Sequence, residues 1–326
     1  MSRADVIDAL RGAQRVTAIC HENPDADTLG AALALHIAVE RLGKRAEVVA
    51  ADPVPPWLAF LPRVDEVRRM PALEPDVAVV LDGPLSRTGD VTTQAADWLE
   101  RARLVNIDHH VSNSGDGMVA WIEGEASATC EMMALLLPDL GVEPDAELAT
   151  ALLAGIVQDT HTFAHPNVTP RTLRVAADLV AAGGRLSAIH RAIYADKPYS
   201  TLALWGRMLA SIGQRRDGRI VHAAMTLAML ADLGAEPNEA EGFVDLLAST
   251  KAADVTVLFK EADANRVRVS IRTSARADAV AITSAFGGGG HARAAGCTVE
   301  ASLDVARERV LEECERELDR ADAGGH

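Results

Sequence analysis

Three short apolar runs near the start of the chain all end in acidic or imidazole residues. Val16-Thr17-Ala18-Ile19-Cys20 runs into His21-Glu22-Asn23-Pro24-Asp25-Ala26-Asp27, and Val77-Ala78-Val79-Val80-Leu81 ends in Asp82. Leu104-Val105-Asn106-Ile107 ends in Asp108-His109-His110. Runs this short and apolar read as buried strands, and the Ala/Leu-rich stretches between them read as helices. Strands that alternate with helices build βαβ units, in which the crossover helix makes successive strands parallel. Parallel strands bring their C-terminal ends to one side of the sheet, where open α/β sheets hold their sites. The expected fold is α/β, a mostly parallel sheet flanked by helices, with carboxylates and imidazoles gathered at one crevice.

The spacing predicts strands at 16–20, 46–50, 77–82 and 104–108, and helices at 28–42, 127–137, 146–158 and 170–182. Pro24 disfavours helix at Asn23, so the first acidic cluster lies on a loop and its helix starts near Asp27 or Thr28. Gly183-Gly184 closes the last of these helices, which sets a first domain at 1–184 and a helical linker at 185–211. The texture then changes to a smaller α+β domain over 212–322. It has strands at 219–225, 255–259 and 266–272, a helix at 278–286, a glycine-rich turn, a short strand near 297–299 and a charged helix over 303–320.

Composition narrows the function classes. With 32 Lys and Arg against 47 Asp and Glu, the net charge is −15, and aromatic residues are 3% of the chain. Proteins that track long nucleic acid carry a basic stripe for the phosphates, so long DNA or RNA is excluded as a partner. No apolar run reaches the ~18 residues of a membrane span, and the first residues lack the layout of a signal peptide. A cytoplasmic protein without a membrane partner is expected. Cys20, Cys130, Cys297 and Cys314 are too far apart for a C-x-x-C pair, so buried reduced thiols are expected.

The candidate metal ligands are His21, Asp25, Asp27, Asp82, His109 and Asp159, the last a carboxylate at the end of the apolar helix Gly155-Ile156-Val157-Gln158. Two imidazoles and four carboxylates suit Mn²⁺ or Mg²⁺ and not a thiolate-seeking ion. Four negative charges balance two divalent ions, which at about 3.5–4 Å apart can activate a hydroxide for attack on phosphorus. Asp82, a lone carboxylate ending a buried strand, is the expected bridge. Gly287-Gly288-Gly289-Gly290-His291, followed by Ala294-Ala295-Gly296, would let backbone N–H groups approach a phosphate. Arg272 and His291 would add charge-assisted contacts to the same group.

Together these segments resemble the DHH/DHHA1 phosphoesterase family, in particular its nanoRNase/pAp-phosphatase branch. The resemblance rests on His21 to Gly30, Leu81 to Gly89, Ile107 to His110, Ala154 to Thr160, Ser270 to Arg272 and Gly287 to Gly296, in order along nearly the whole chain. It implies a homodimeric two-metal hydrolase, with Mn²⁺ foremost and Mg²⁺ or Co²⁺ as alternatives, and an active site in the cleft between its domains. One metal would take His21, Asp25 and Asp82, and the other Asp27, Asp82, His109 and Asp159. His110 would meet the substrate as phosphate ligand or general acid, with Asp108 orienting the imidazoles from behind. Ser270, Arg272, Gly288, Gly289, Gly290 and His291 would hold the far phosphate.

The chain departs from the family pattern at His161, where Asp-Thr-Gly is usual, and at Gly83-Pro84, where small polar residues are usual. The resemblance implies hydrolysis of short oligonucleotides to mononucleotides and of pAp to AMP. The alternative is a cyclic di-AMP phosphodiesterase that gives pApA and AMP. An inorganic pyrophosphatase would need a denser Lys/Arg grip, and a non-enzymatic nucleotide sensor would not need the full ligand set.

Overall fold

The computed structural model describes residues 3–115 and 118–324. The chain divides after Asp196 into two compact units. The first contains helix α1 (Arg3–Gly12), strand β1 (Arg15–Ile19), α2 (Ala26–Arg41), β2 (Arg45–Val49), β3 (Val77–Leu81), and two single turns, α3 (Val91–Gln94) and α4 (Ala96–Leu99). It continues with β4 (Arg103–Asp108), β5 (Val119–Ile122), α5 (Thr129–Asp139), α6 (Ala146–Asp159), α7 (Pro170–Ala181) and α8 (Leu186–His190). A π-helical turn, Arg191–Ala195, ends the unit.

All five strands pair in parallel, in the order β2-β1-β3-β4-β5. Every residue of β3 is buried because helices cover both faces of the sheet. Val77, Val79 and Leu81 join a large core with α2, α5 and α6, and Ala78 joins a smaller one with Val91, Ala95 and Leu99. A continuous apolar run is what such two-sided burial requires. The sequence had not announced α1 or β5, the latter a four-residue edge strand.

Helix α2 starts at Ala26, earlier than expected, because Asp25 is its N-cap. The Asp25 Oδ1 accepts from the N–H groups of Asp27 at 3.0 Å and Thr28 at 3.1 Å. Every residue from Ala26 to Val39 is buried. Gly30 makes that possible on one side. A Cβ there would lie 2.4 Å from the Ala151 carbonyl oxygen and 3.0 Å from the Cys130 Sγ. Glycine inside a helix costs about 1 kcal/mol relative to Ala, and here the close approach of α2 to α6 offsets that cost.

A buried carboxylate ties α5 to α7. Glu131 accepts from the Ser127 N–H at 3.0 Å, the Ser127 hydroxyl at 2.6 Å, the Thr172 hydroxyl at 2.9 Å and the Arg171 Nε at 2.5 Å. Burial pushes its pKa up, but these donors outweigh that and hold it below the usual range. The contacts fix the turn just before α5, whose first N–H groups serve the site.

The second unit contains α9 (Tyr199–Ala210), β6 (Gly213–Arg215), β7 (Ile220–Met225), α10 (Leu227–Leu233), α11 (Phe243–Ala248), β8 (Val255–Asp263) and β9 (Arg266–Thr273). It ends with α12 (Ala279–Ser284), β10 (Gly289–His291), β11 (Ala294–Val299) and α13 (Leu303–Gly324). Its sheet runs β10-β11-β9-β8-β7-β6, antiparallel except for the β7–β8 pair. One face packs Val257, Phe259 and Ile271 against Ile282, Val310 and Leu318, and the other packs Val221 and Leu258 against Leu204 and Phe243. Cys20, Cys130, Cys297 and Cys314 are free and buried. No helix among the described residues is long and apolar enough to cross a membrane.

The Gly30 contact yields a stability test. Gly30→Val is expected to lower the unfolding free energy by about 1–3 kcal/mol through overpacking. Gly12→Ala, at the end of α1 where a Cβ meets nothing within 4 Å, should not lower it. Denaturant unfolding of both variants checks this.

Candidate metal centre

The loop from β1 to α2 brings three ligand-type side chains to the C-terminal edge of the sheet. The His21 Nδ1–H donates to the Glu22 carbonyl at 2.7 Å, which leaves Nε2 to face the carboxylates. This Nε2 lies 3.6 Å from Asp25 Oδ1 and 3.4 Å from Asp82 Oδ2. Asp27, in the first turn of α2, is wholly buried. Its two oxygens accept from the N–H groups of Thr129 at 2.7 Å and Cys130 at 2.8 Å, at the start of α5. A helix N-terminus is suited to a carboxylate. Gly155 gives Asp27 room, since a Cβ on it would lie 2.4 Å from Asp27 Oδ1.

Asp82 follows β3 in the left-handed region, with φ +62°. That conformation is uncommon outside glycine, and the surroundings hold it. The Asp82 N–H donates to the Ile107 carbonyl at 3.0 Å, and the Thr129 hydroxyl donates to Asp82 Oδ1 at 3.0 Å. The Gly83-Pro84 loop is tied down by the Asn106 Nδ2, which donates to the Gly83 carbonyl at 2.9 Å.

The end of β4 supplies two imidazoles anchored in different ways. The His109 Nδ1–H donates to the Ala126 carbonyl at 3.3 Å. Its Nε2 lies 3.2 Å from Asp159 Oδ2, 3.5 Å from Asp82 Oδ1 and 4.0 Å from Asp27 Oδ2. His110 is held by a carboxylate, its Nδ1 lying 2.7 Å from Asp108 Oδ1. Asp108 is wholly buried, and its Oδ2 accepts from the Asn113 Nδ2 at 2.6 Å. Asn113 also donates to Asn106 Oδ1 at 2.8 Å. The hydrogen bond His110 donates to Asp108, ahead of the opposing effect of burial, raises the His110 pKa.

Three overlapping groups of ligand atoms result: His21, Asp25 and Asp82; Asp82, His109 and His110; Asp27, His109 and Asp159. Asp82 turns one oxygen to each of His21 and His109. The expected six ligands therefore meet, with Asp82 between the two sets. Charge crowding shows in the acidities. Burial, then the charges of Asp82 and Asp159, push Asp27 well above the usual carboxylate range. Burial likewise raises Asp159 to about 6, although the His109 contact opposes it. Burial would raise Asp82 too, but the His21 hydrogen bond and the charges of His109, His21 and His110 hold it at about 2. His21 and His109 are both pushed up to about 10, because the neighbouring carboxylates outweigh burial. The imidazoles thus keep protons to balance negative charge that a cation would balance instead. The buried His109 Nε2 has no hydrogen-bond partner of proper geometry while facing three carboxylates. This donor set fits hard divalent cations.

Sequence reasoning missed Thr129, which bonds Asp27 and Asp82, and the residues that brace the surrounding loops: Asn106, Asn113 and Gln158, whose Oε1 accepts from the Ala26 N–H at 2.6 Å. One signal was present, since Asn106 is an amide inside an otherwise apolar strand.

In the second unit, Ser270 and Arg272 sit on β9, paired with Gly296 and Ala294 of β11. The Arg272 Nε donates to Asp245 Oδ1 at 2.7 Å, so the guanidinium already has an acidic partner. Gly289 and Gly290 lie within strand β10, where a turn was expected. Close strand contact accounts for two of these glycines. A Cβ on Gly288 would lie 2.3 Å from the Gly296 carbonyl oxygen, and one on Gly290 would lie 2.5 Å from that of Ala294. The His291 side chain lies outside the described residues.

Comparison with known proteins agrees with this architecture. The family model described as "DHH family, N-terminal domain" matches residues 15–156, and the DHHA1 domain model matches 217–319. A Thermus thermophilus protein named bifunctional oligoribonuclease and PAP phosphatase NrnA is 36% identical, over 98% of this chain and 94% of its own. A Bacillus subtilis protein of the same name is 26% identical, over 90% of this chain and 92% of its own. Among solved structures, an exopolyphosphatase-related protein from Bacteroides fragilis shares the fold, with a TM-score of 0.89 and 21% identity over 98% of this chain and 97% of its own. The chain belongs to the DHH family, with its N-terminal domain followed by a DHHA1 domain.

Proposed function

We propose that this chain is a metal-dependent phosphoesterase that hydrolyses short oligonucleotides to mononucleotides and pAp to AMP. The observation that carries the reading is Asp82, whose two oxygens face His21 and His109 from between two ligand sets. The names of the full-length relatives support the same substrates. His21, Asp25 and Asp82 would hold one divalent ion, and Asp27, Asp82, His109 and Asp159 the other, with Mn²⁺ favoured by the mixed carboxylate and imidazole donors. When bound, the ions supply Lewis-acid polarisation of a phosphoryl oxygen and neutralise charge developing there.

The remaining work belongs to the chain's own groups. Anchoring of both Nδ1 atoms to carbonyls directs the Nε2 lone pairs of His21 and His109 at the ligand cluster. His110 is anchored instead on Asp108, which favours its protonated form and leaves Nε2 to donate a proton to the leaving oxygen. Asp108, fixed by Asn113, orients that ring. Ser270, Arg272 and the Gly288 to Gly290 backbone are assigned to a terminal phosphate, for which Arg272 must exchange its Asp245 partner. The acidic chain suits short oligonucleotides and small nucleotides, and the reading includes a cytoplasmic homodimer.

Product chromatography after incubation with Mn²⁺ tests the substrate order, using RNAs of about two to ten nucleotides, pAp and cyclic di-AMP. Mononucleotides from the shortest RNAs and AMP from pAp are expected, whereas fastest turnover of cyclic di-AMP would reverse the assignment. Asp82→Ala should abolish activity and lower bound metal by elemental analysis. His110→Ala should lose roughly 10²- to 10⁴-fold in kcat, the range of general acid catalysis, with its metal content intact. Arg272→Ala should raise KM for pAp by about tenfold or more, as befits loss of a charge-assisted hydrogen bond.

A further inference from the structure

We propose that His161 and His165 form a stacking platform for a nucleobase of the substrate, built onto the helix end that carries Asp159. The proposal deepens the nucleotide reading above and rests on it. It begins with strain. His161, Thr162 and Phe163 are three successive non-glycine residues in the left-handed region, with φ of +47°, +56° and +64°. Such residues persist only where their surroundings hold them, and they cluster at functional sites.

The turn is held at every step. The His161 N–H donates to the Gln158 carbonyl at 3.0 Å and the Thr162 N–H to that of Val157 at 2.8 Å. The Phe163 N–H donates to the Thr160 hydroxyl at 3.0 Å, and the His165 N–H to the Thr160 carbonyl at 2.9 Å. Phe163 packs inward on the core, while His161 and His165 are exposed.

The two exposed rings are arranged as a stack, with centroids 5.3 Å apart and planes 12° from parallel. Tyr194, one of only two tyrosines in the chain, meets His161 edge-on at 4.7 Å. The platform is fastened to the last turn of α6. The Tyr194 hydroxyl lies 3.1 Å from the Gln158 carbonyl oxygen, and the His165 Nδ1 lies 3.2 Å from that of Asp159 itself. The rings thus stand directly beside Asp159, a metal-ligand candidate. Flat π faces take any base, which suits a substrate recognised by being a nucleotide and not by its sequence.

The test separates the base from the phosphate. His161→Asn removes the ring yet tolerates the left-handed backbone, and His161→Phe keeps a ring. The ratio of KM for pApA to KM for a dinucleotide with one abasic sugar should rise about tenfold in the Asn variant, within the range of stacking effects. It should return toward the wild-type value in the Phe variant. Titration with 2-aminopurine riboside 5′-monophosphate should show fluorescence quenching by the wild-type and Phe proteins and weaker quenching by the Asn protein. Equal KM ratios or equal quenching in all three proteins would overturn the platform. If wild type fails to hydrolyse pApA, the proposed function falls, while the quenching series still decides the platform.

Discussion

Mutual repulsion among Asp25, Asp27, Asp82 and Asp159 is the constraint around which the first unit is organised. Carboxylates brought this close cannot all keep their charge without compensation. The chain supplies it from several directions. Asp27 receives two N–H groups from the start of α5, Asp25 is occupied as the cap of α2, and Asp82 lies between two imidazoles. Even the absence of side chains serves this end, because Gly155 admits the Asp27 carboxylate where a Cβ would collide with it. The protons left on His21 and His109 mark charge that these devices do not balance, and this is the electrostatic basis for assigning cations there.

Anchoring separates the imidazoles by task. His21 and His109 fix Nδ1 on backbone carbonyls, a neutral partner that leaves Nε2 free as a donor to a cation. His110 fixes Nδ1 on a buried carboxylate, which stabilises the imidazolium. Backbone strain is present at the site as well. Asp82 and the His161 to Phe163 turn, which follows Asp159, adopt left-handed conformations, each locked by hydrogen bonds. Rigid placement of groups is what such strain can sustain.

The second unit shows how one motif can satisfy packing and still offer chemistry. Gly288 and Gly290 are required by the close contact between β10 and β11, so their presence needs no ligand to explain it. Arg272 is similarly engaged with Asp245. A phosphate that takes Arg272 must therefore compete with an existing ion pair, a partly exposed one whose own worth is small.

Much of the candidate metal centre was legible in the sequence. Short apolar runs specify buried parallel strands, strand order puts their ends together, and Asp82, His109 and Asp159 stand where an apolar element would not otherwise place a polar group. The edge strand β5 escaped notice because four residues carry too little periodicity to register. Parts of the supporting network escaped because the partners are remote in sequence: Thr129 meets Asp27 across 102 positions and Gln158 meets Ala26 across 132. Hydrophobic pattern is a local property, so sequence by itself determined the longer helices and buried strands and which carboxylates and imidazoles stand at their ends. Only the tertiary structure decided which N–H group compensates which carboxylate, which ring nitrogen is left free, and that His161 and His165 stack, because those outcomes depend on distances between segments that no local pattern encodes.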